Sequence, residues 1–105
     1  IESDVEELIL TKYFRNAFLA AKVAFFNEIY DLCEKSNVDY DTVAQLVGDD
    51  SRIGHSHTTV TEERGYGGHC FPKDVSAVLC TGRQYGNELS ILQAVEDYNK
   101  NIKKL

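Results

Sequence analysis

Residues 5–34, VEELILTKYFRNAFLAAKVAFFNEIYDLCE, contain neither Gly nor Pro, and the next breaker along the chain is Gly48. Ahead of them Ser3-Asp4-Val5-Glu6 matches a capping box, whose Ser and Glu side chains reciprocally satisfy backbone N–H groups at a helix start. The sequence therefore predicts one helix from about residue 4 to Glu34 or Lys35. Some ~31 residues at 1.5 Å each make a rod of about 46 Å, long for a chain of 105 residues. Plotted at about 100° per residue, its apolar side chains fall into two stripes. Val5, Leu8, Ile9, Leu19, Val23, Phe26 and Tyr30 share one side; Leu10, Phe14, Ala17, Phe18, Ala21, Phe25 and Leu32 share nearly the opposite one. Such a helix must be covered twice. Its own short helices can cover one stripe, and the other calls for a second copy of the chain or a neighbouring domain.

Beyond a turn at Ser36-Asn37, Asp39 can cap a short helix over Tyr40–Val47, which Gly48 stops. Asp49 to His69 reads as loop, and so long a structureless stretch in a small domain is usually functional or disordered. A third helix is expected from Pro72 to about Gln84, ending before Gly86. A fourth, from about Leu89, places Ile91, Val95, Tyr98, Ile102 and Leu105 along one side. Strand signals are weak throughout. The expected fold is all-α: a long central helix, three shorter helices and a long active-site loop.

An apolar content of 43% with 27% charged residues suits one ordinary folded domain rather than a disordered chain. No apolar run is long enough to span a bilayer, and no secretory signal pattern opens the chain. Three cysteines, an odd number, argue against a disulfide framework and for a reducing compartment, hence a cytoplasmic protein. Methionine is absent even at position 1, as expected of a piece of a longer protein. Residues 1–50 carry 11 acidic and 4 basic side chains, residues 51–105 carry 6 and 7. Without a clustered basic face, a nucleic-acid platform is excluded. A small phosphorylated ligand could still be held by Arg52, Arg64, Lys73 and loop amides.

The chemistry concentrates in Gly65-Tyr66-Gly67-Gly68-His69-Cys70-Phe71-Pro72-Lys73-Asp74. The glycines permit positive φ and close approach of backbone to a ligand, and Pro72 suits the first turn of a helix. Cys70 then stands at a helix mouth, where backbone amides stabilise negative charge on a nucleophile. Asp74 follows one turn later. Lys12 and Asn16, four residues apart, share a face of the long helix within the first stripe. Either the lysine snorkels to solvent beside the amide, or the pair meets negative charge developing on a substrate oxygen. Cys33 and Cys80 lack any such setting and are assigned to the core. His55, His57 and His69 with Cys70 raise a zinc site or a Cys–His nucleophile pair. Their spacing matches none of the common structural-zinc patterns, and no metal site is assigned. The glycine loop also differs from the dinucleotide fingerprint in spacing, and no buried strand precedes it.

The decapeptide Gly65–Asp74 resembles the active-site loop of the UDP-glucose/GDP-mannose dehydrogenase family. Lys12-Tyr13-Phe14-Arg15-Asn16-Ala17-Phe18-Leu19-Ala20 resembles the same family's Lys-x-x-x-Asn helix, and Ser51-Arg52-Ile53-Gly54 a third family segment. The three motifs stand in the family's order across almost the whole chain. The resemblance implies the central helical domain, which joins two Rossmann domains and forms a homodimer through the long helix. It implies NAD-dependent four-electron oxidation of a nucleotide sugar at C6. Cys70 is then the covalent nucleophile, with Lys12, Asn16 and Asp74 as its catalytic partners. Arg64, Gly65, Tyr66, Gly67 and Gly68 would bind the sugar diphosphate, with Arg52 reaching the neighbouring subunit's sugar site. Cys70, Phe71, Pro72 and Lys73 would border the nicotinamide. His69 is shared with relatives acting on N-acetylated UDP-sugars, whereas Phe71-Pro72-Lys73 and Arg52-Ile53-Gly54 lean towards UDP-glucose. The resemblance is limited by what the chain lacks: a dinucleotide-binding strand–loop–helix and the acidic catalytic residue of the family's N-terminal domain. The alternative readings are a helical dimerisation module silent on its own and a dehydrogenase for another nucleotide sugar, GDP-mannose or a UDP-N-acetylhexosamine.

Overall fold

A computed structural model describes residues 2–68 and 70–103, with side chains from Glu6 onward. Among the described residues four helices and no strand are present: α1 (Glu2–Ser36), α2 (Tyr40–Gly48), α3 (Cys70–Gln84) and α4 (Ser90–Lys103). At 1.5 Å per residue α1 is about 52 Å long, and it sets the 51 Å long axis of the molecule. Each of the other helices packs on α1, and α3 also packs on α4.

Two apolar clusters lie along α1. Near its middle, the small side chains of Ala17 and Ala20 let α3 come close, and Tyr66, Val75, Val78 and Leu79 are buried against them. Tyr13, Val23, Phe71, Leu89, Leu92 and Val95 close the sides of that cluster. Towards the C-terminus of α1, Phe26 and Cys33 pack with Tyr40 and Ala44 of α2, and Val60 of the loop covers them. The Tyr40 hydroxyl donates to the Thr58 carbonyl, tying α2 to the loop that crosses from it to α3.

The ends of the elements follow local chemistry. Asn37 adopts φ 59° and closes α1 with Val38 N–H on the Cys33 carbonyl (2.9 Å), a Schellman arrangement in which Asn replaces the usual Gly. The Asp39 carboxylate accepts from Thr42 N–H (3.1 Å) and caps α2 as expected. Gly86 (φ 75°) ends α3 with Asn87 N–H on the Gly82 carbonyl (2.8 Å). α3 starts at Cys70, two residues before the expected Pro72. The proline tolerates this because the first N–H groups of a helix have no intrahelical partner. α4 starts at Ser90 rather than Leu89, whose carbonyl accepts the first helical bond from Gln93.

Four expectations need correction. α1 is already helical at Glu2, so its backbone does not begin at the expected capping box; the side chains of Ser3, Asp4 and Val5 lie outside the described residues. In the first stripe, Leu8 and Ile9 are exposed, because no described element covers this end of the rod. In the second, Ala17 is buried, while Leu10, Phe14, Phe18, Phe25 and Leu32 are exposed. On α4, Val95, Tyr98 and Ile102 turn inward and Ile91 is exposed; Leu105 lies outside the described residues.

Candidate active site

Asp74, 3% exposed, lies on the face of α3 that packs against α1. There its Oδ2 accepts a hydrogen bond from Asn16 Nδ2 at 2.6 Å. Two residues 58 positions apart are thereby fixed at one point, and each helix carries a second candidate one turn away. On α1 this is Lys12, on the same face as Asn16. On α3 it is Cys70, the first helical residue, whose side chain is exposed. Four residues are about 6 Å of rise, so Lys12 lies one turn from the contact along α1 and Cys70 one turn from it along α3. Lys12 is exposed, in keeping with a lysine that snorkels to solvent, because the stripe around it is uncovered. Its charge remains available to a ligand.

The glycine loop enters this crossing under tight control. Arg64 (φ 57°) sends its guanidinium onto α1. Nε donates to Asn27 Oδ1 (2.8 Å), one terminal nitrogen meets Asp31 Oδ1 (2.8 Å), and the group lies 4.8 Å from the centre of the Tyr30 ring. Asp31 also accepts from the Tyr98 hydroxyl (2.9 Å). Burial, followed by that hydrogen bond to a carboxylate, pushes Tyr98 up to about 12. Asn27 Oδ1 accepts in addition from Gly65 N–H (2.9 Å). One residue later Asn99 of α4 takes both backbone groups of Tyr66, with N–H on Oδ1 at 2.8 Å and Nδ2 on the carbonyl at 3.0 Å. Lys103 Nζ donates to the Arg64 carbonyl (2.9 Å).

The residues expected to bind substrate thus have distinct surroundings. The Arg64 guanidinium is held by α1, and the Tyr66 ring is buried in the core, where burial first and Glu96 second push its hydroxyl up to about 12. Gly65 has φ 66°, and a Cβ there would collide with Asn99 Oδ1. Gly67 is exposed; Gly68 is exposed too, with φ 78° and open space where a Cβ would stand. Of the expected nicotinamide border, Cys70 and Lys73 are exposed and Phe71 and Pro72 half-buried; the Phe71 ring is 5.8 Å from that of His57. The two buried amides, Asn27 and Asn99, are not among the residues expected to matter. The available signal was an amide within an apolar stripe: Asn27 follows Val23 by four, and Asn99 follows Val95 by four.

Arg52 lies elsewhere. Its side chain is 86% exposed and forks onto Asp50 (3.0 and 2.7 Å), holding that carboxyl below the usual carboxylate range. Lys22 Nζ donates to the adjacent Ile53 carbonyl (2.7 Å) and pins the segment to α1. Arg52 and Ile53 border an open apolar cavity of about 620 Å³, with Phe18 and Phe25 of α1 and Ile91 and Val95 of α4 also in its walls. None of Lys12, Asn16, Cys70 or Asp74 lines it. His55 pairs with Asp49 (3.0 Å) at the end of α2, whereas His57 stands beside the Phe71 ring. Among the described residues no cluster of His, Cys, Asp or Glu could hold a metal; His69 lies outside them. Cys33 is buried as expected. Cys80 is exposed, a correction with a simple cause: it shares the solvent face of α3 with Lys73 and Ser76, at i, i+3 and i+7. Among the described residues no helix is long and apolar enough to cross a membrane.

The profile described as UDP-glucose/GDP-mannose dehydrogenase family, central domain, matches residues 6–101, and the chain belongs to that family. A UDP-glucose 6-dehydrogenase of Pseudomonas aeruginosa is 44% identical over 99 residues, covering 94% of this chain and 21% of that protein. The Bacillus subtilis UDP-glucose 6-dehydrogenase TuaD is 39% identical over 100 residues, 95% of this chain and 21% of its own length. A solved UDP-glucose dehydrogenase from the hyperthermophilic archaeon Pyrobaculum islandicum superposes with a TM-score of 0.80 at 40% identity. It covers 88% of this chain and 21% of that one. The chain therefore spans about a fifth of the length of the relatives it matches.

Proposed function

We propose that this chain is the central domain of a cytoplasmic, NAD-dependent UDP-glucose 6-dehydrogenase that oxidises the C6 alcohol of the sugar to a carboxylate. The observation that supports the reading is the Asn16–Asp74 hydrogen bond, which joins the helix that carries Lys12 to the helix headed by Cys70. The names of the relatives support the choice of substrate.

The described residues include no strand and so no dinucleotide-binding strand–loop–helix; what they would offer a nicotinamide is a border, the turn from Cys70 to Lys73, exposed at both ends. NAD, held chiefly by a neighbouring domain, would supply the hydride acceptor for both oxidations. In the first, the alcohol loses a hydride and a proton and becomes an aldehyde. Cys70 Sγ then bonds to the aldehyde carbon, and its proton leaves through the Asp74 carboxyl or water. Lys12 and Asn16 hold the oxygen as it gains charge. Loss of hydride from that carbon, with its oxygen held as an anion by Lys12 and Asn16, leaves a thioester on Cys70. Water adds with its proton taken towards Asp74, the C–S bond breaks, and carboxylate and thiol separate. Gly65–Gly68 lie along the sugar diphosphate, where the absence of side chains at Gly67 and Gly68 leaves room for close approach.

The same reading makes the protein a homodimer through α1. Phe18, 70% exposed, and its neighbours present an apolar stripe beside the cavity that Arg52 borders, and a second copy would cover both. Arg52 at that edge would reach the partner's sugar site.

The test is stoichiometry in the whole protein: two NADH and one UDP-glucuronate per UDP-glucose, with the isolated chain producing none. Preference for GDP-mannose or a UDP-N-acetylhexosamine would move the assignment within the family. No turnover of any nucleotide sugar would overturn it and leave a dimerisation module.

A further inference from the structure

The glycine loop has to be rigid enough to receive a ligand, yet it has no regular structure and little side-chain mass. Two buried amides supply what it lacks. Asn27, 1% exposed, is locked in orientation by its own Nδ2, which donates to the Val23 carbonyl one turn back (2.9 Å). Its Oδ1 is thereby aimed out of α1 and receives both Arg64 Nε and Gly65 N–H. Asn99, also buried, spends both ends of its amide on Tyr66. Consecutive loop residues are therefore held by two different helices. The last fixed residue, Tyr66, is followed directly by exposed Gly67 and Gly68.

From this arrangement we propose that Asn27 and Asn99 are positioning residues for substrate binding: a clamp that holds Gly65 and Tyr66 so that Gly67 and Gly68 present their backbone to the ligand. The proposal rests on the reading of this loop as the nucleotide-sugar loop. Two features make the clamp specific. Asn99 satisfies a donor and an acceptor of one residue, which fixes the direction of the peptide and not only its distance. A methyl on Gly65 would occupy the place of Asn99 Oδ1, so this glycine is required by the clamp itself as well as by its φ of 66°. The thiol has a support of its own: Cys70 stands on α3, whose Val75, Val78 and Leu79 share a cluster with Tyr66 but are also seated on Ala17 and Ala20 of α1. Loosening the clamp therefore acts on binding more than on the chemical step.

The experiment uses the whole protein with Asn27→Ala and Asn99→Ala, UDP-glucose and NAD as probes, and hydrogen exchange of the Gly65 and Tyr66 amides. Gly82→Ala, which strains the distant end of α3, controls for lost stability. Each Asn variant is expected to raise KM for UDP-glucose about tenfold, the equivalent of one buried hydrogen bond, while kcat stays within about threefold. The Gly65 or Tyr66 amide should exchange faster by a similar factor, and the control should leave KM and both amides unchanged. If an alanine variant fails to fold, Asn27→Ser or Asn99→Ser gives the same readouts with a shorter polar group. Unchanged KM, a fall in kcat alone, or unchanged exchange of both amides overturns the proposal. A wild-type protein that turns over no nucleotide sugar instead fails the functional reading, and the exchange rates still decide whether the amides hold the loop.

Discussion

Cys70 is the residue on which the proposed chemistry turns, and its neighbours say how to test it. The thiol is exposed at the first position of α3, so a hydroxyl there meets the same surroundings but forms an anion far less readily. Cys70→Ser in the whole protein should abolish carboxylate formation, and a serine that does attack leaves an ester that hydrolyses more slowly than a thioester. Mass spectrometry should then find the sugar on the protein; near-normal turnover would reduce Cys70 to a bystander. Lys12→Ala should depress kcat by roughly 10²–10³, as for loss of one oxyanion partner, without slowing alkylation of Cys70. The other two cysteines separate by burial. Cys33→Ser places a hydroxyl in the cluster around Phe26 and Tyr40 and should cost about 1–3 kcal/mol. Cys80→Ser, on the solvent face, should stay within about 0.5 kcal/mol. Equal losses in denaturant melts would contradict this ordering.

Among the elements, the α3–α4 corner shows a glycine chosen for space. Gly82 is inside a helix, where Gly is ordinarily worse than Ala by about 1 kcal/mol. Here a Cβ would stand 2.6 Å from the Asn87 carbonyl oxygen and 2.7 Å from Leu89 Cδ1. The carbonyl belongs to the turn that caps α3 and cannot swing aside. Gly82→Ala should therefore destabilise by about 1–3 kcal/mol, and a more stable variant would show that the corner opens easily. The elements also carry an alkaline signature. Tyr40, Tyr66 and Tyr98 are each pushed up to about 12, with burial the leading cause. Because the folded state favours the protonated phenol, the associated stability is complete below about pH 10. It is lost as pH rises from 10 towards 12. Phenolate absorbance should show three tyrosines ionising together with unfolding; release of all six below pH 11 would contradict the packing.

At the scale of the molecule the outstanding feature is a 51 Å rod with one side clothed by its own helices and Phe14, Phe18, Phe25 and Leu32 left on another. A dimer through this stripe should sediment as such at micromolar concentration. Phe18→Asp with Phe25→Asp should give monomers that keep their helical content, because both rings are more than half exposed within one chain. Dimers that survive both substitutions would place the interface elsewhere.

The four helices, their order and most of their ends were legible in the sequence, because Gly, Pro, Asn and Asp impose local geometry that needs no tertiary partner. The candidates Lys12, Asn16, Cys70 and Asp74 were legible as residue types in a motif. That Asn16 and Asp74 meet was not: their bond spans 58 positions and exists only because Ala17 and Ala20 let α3 seat against α1. Nor could periodicity foresee that Leu8 and Ile9 stay exposed while Ala17 is buried, since a helical wheel gives direction but not which stretch of a rod other helices reach. The roles of Arg64, Asn27 and Asn99 lay furthest from view. A hydrogen bond is directional and short in range, so whether an amide on one helix holds a loop or faces water is decided only when the second helix arrives.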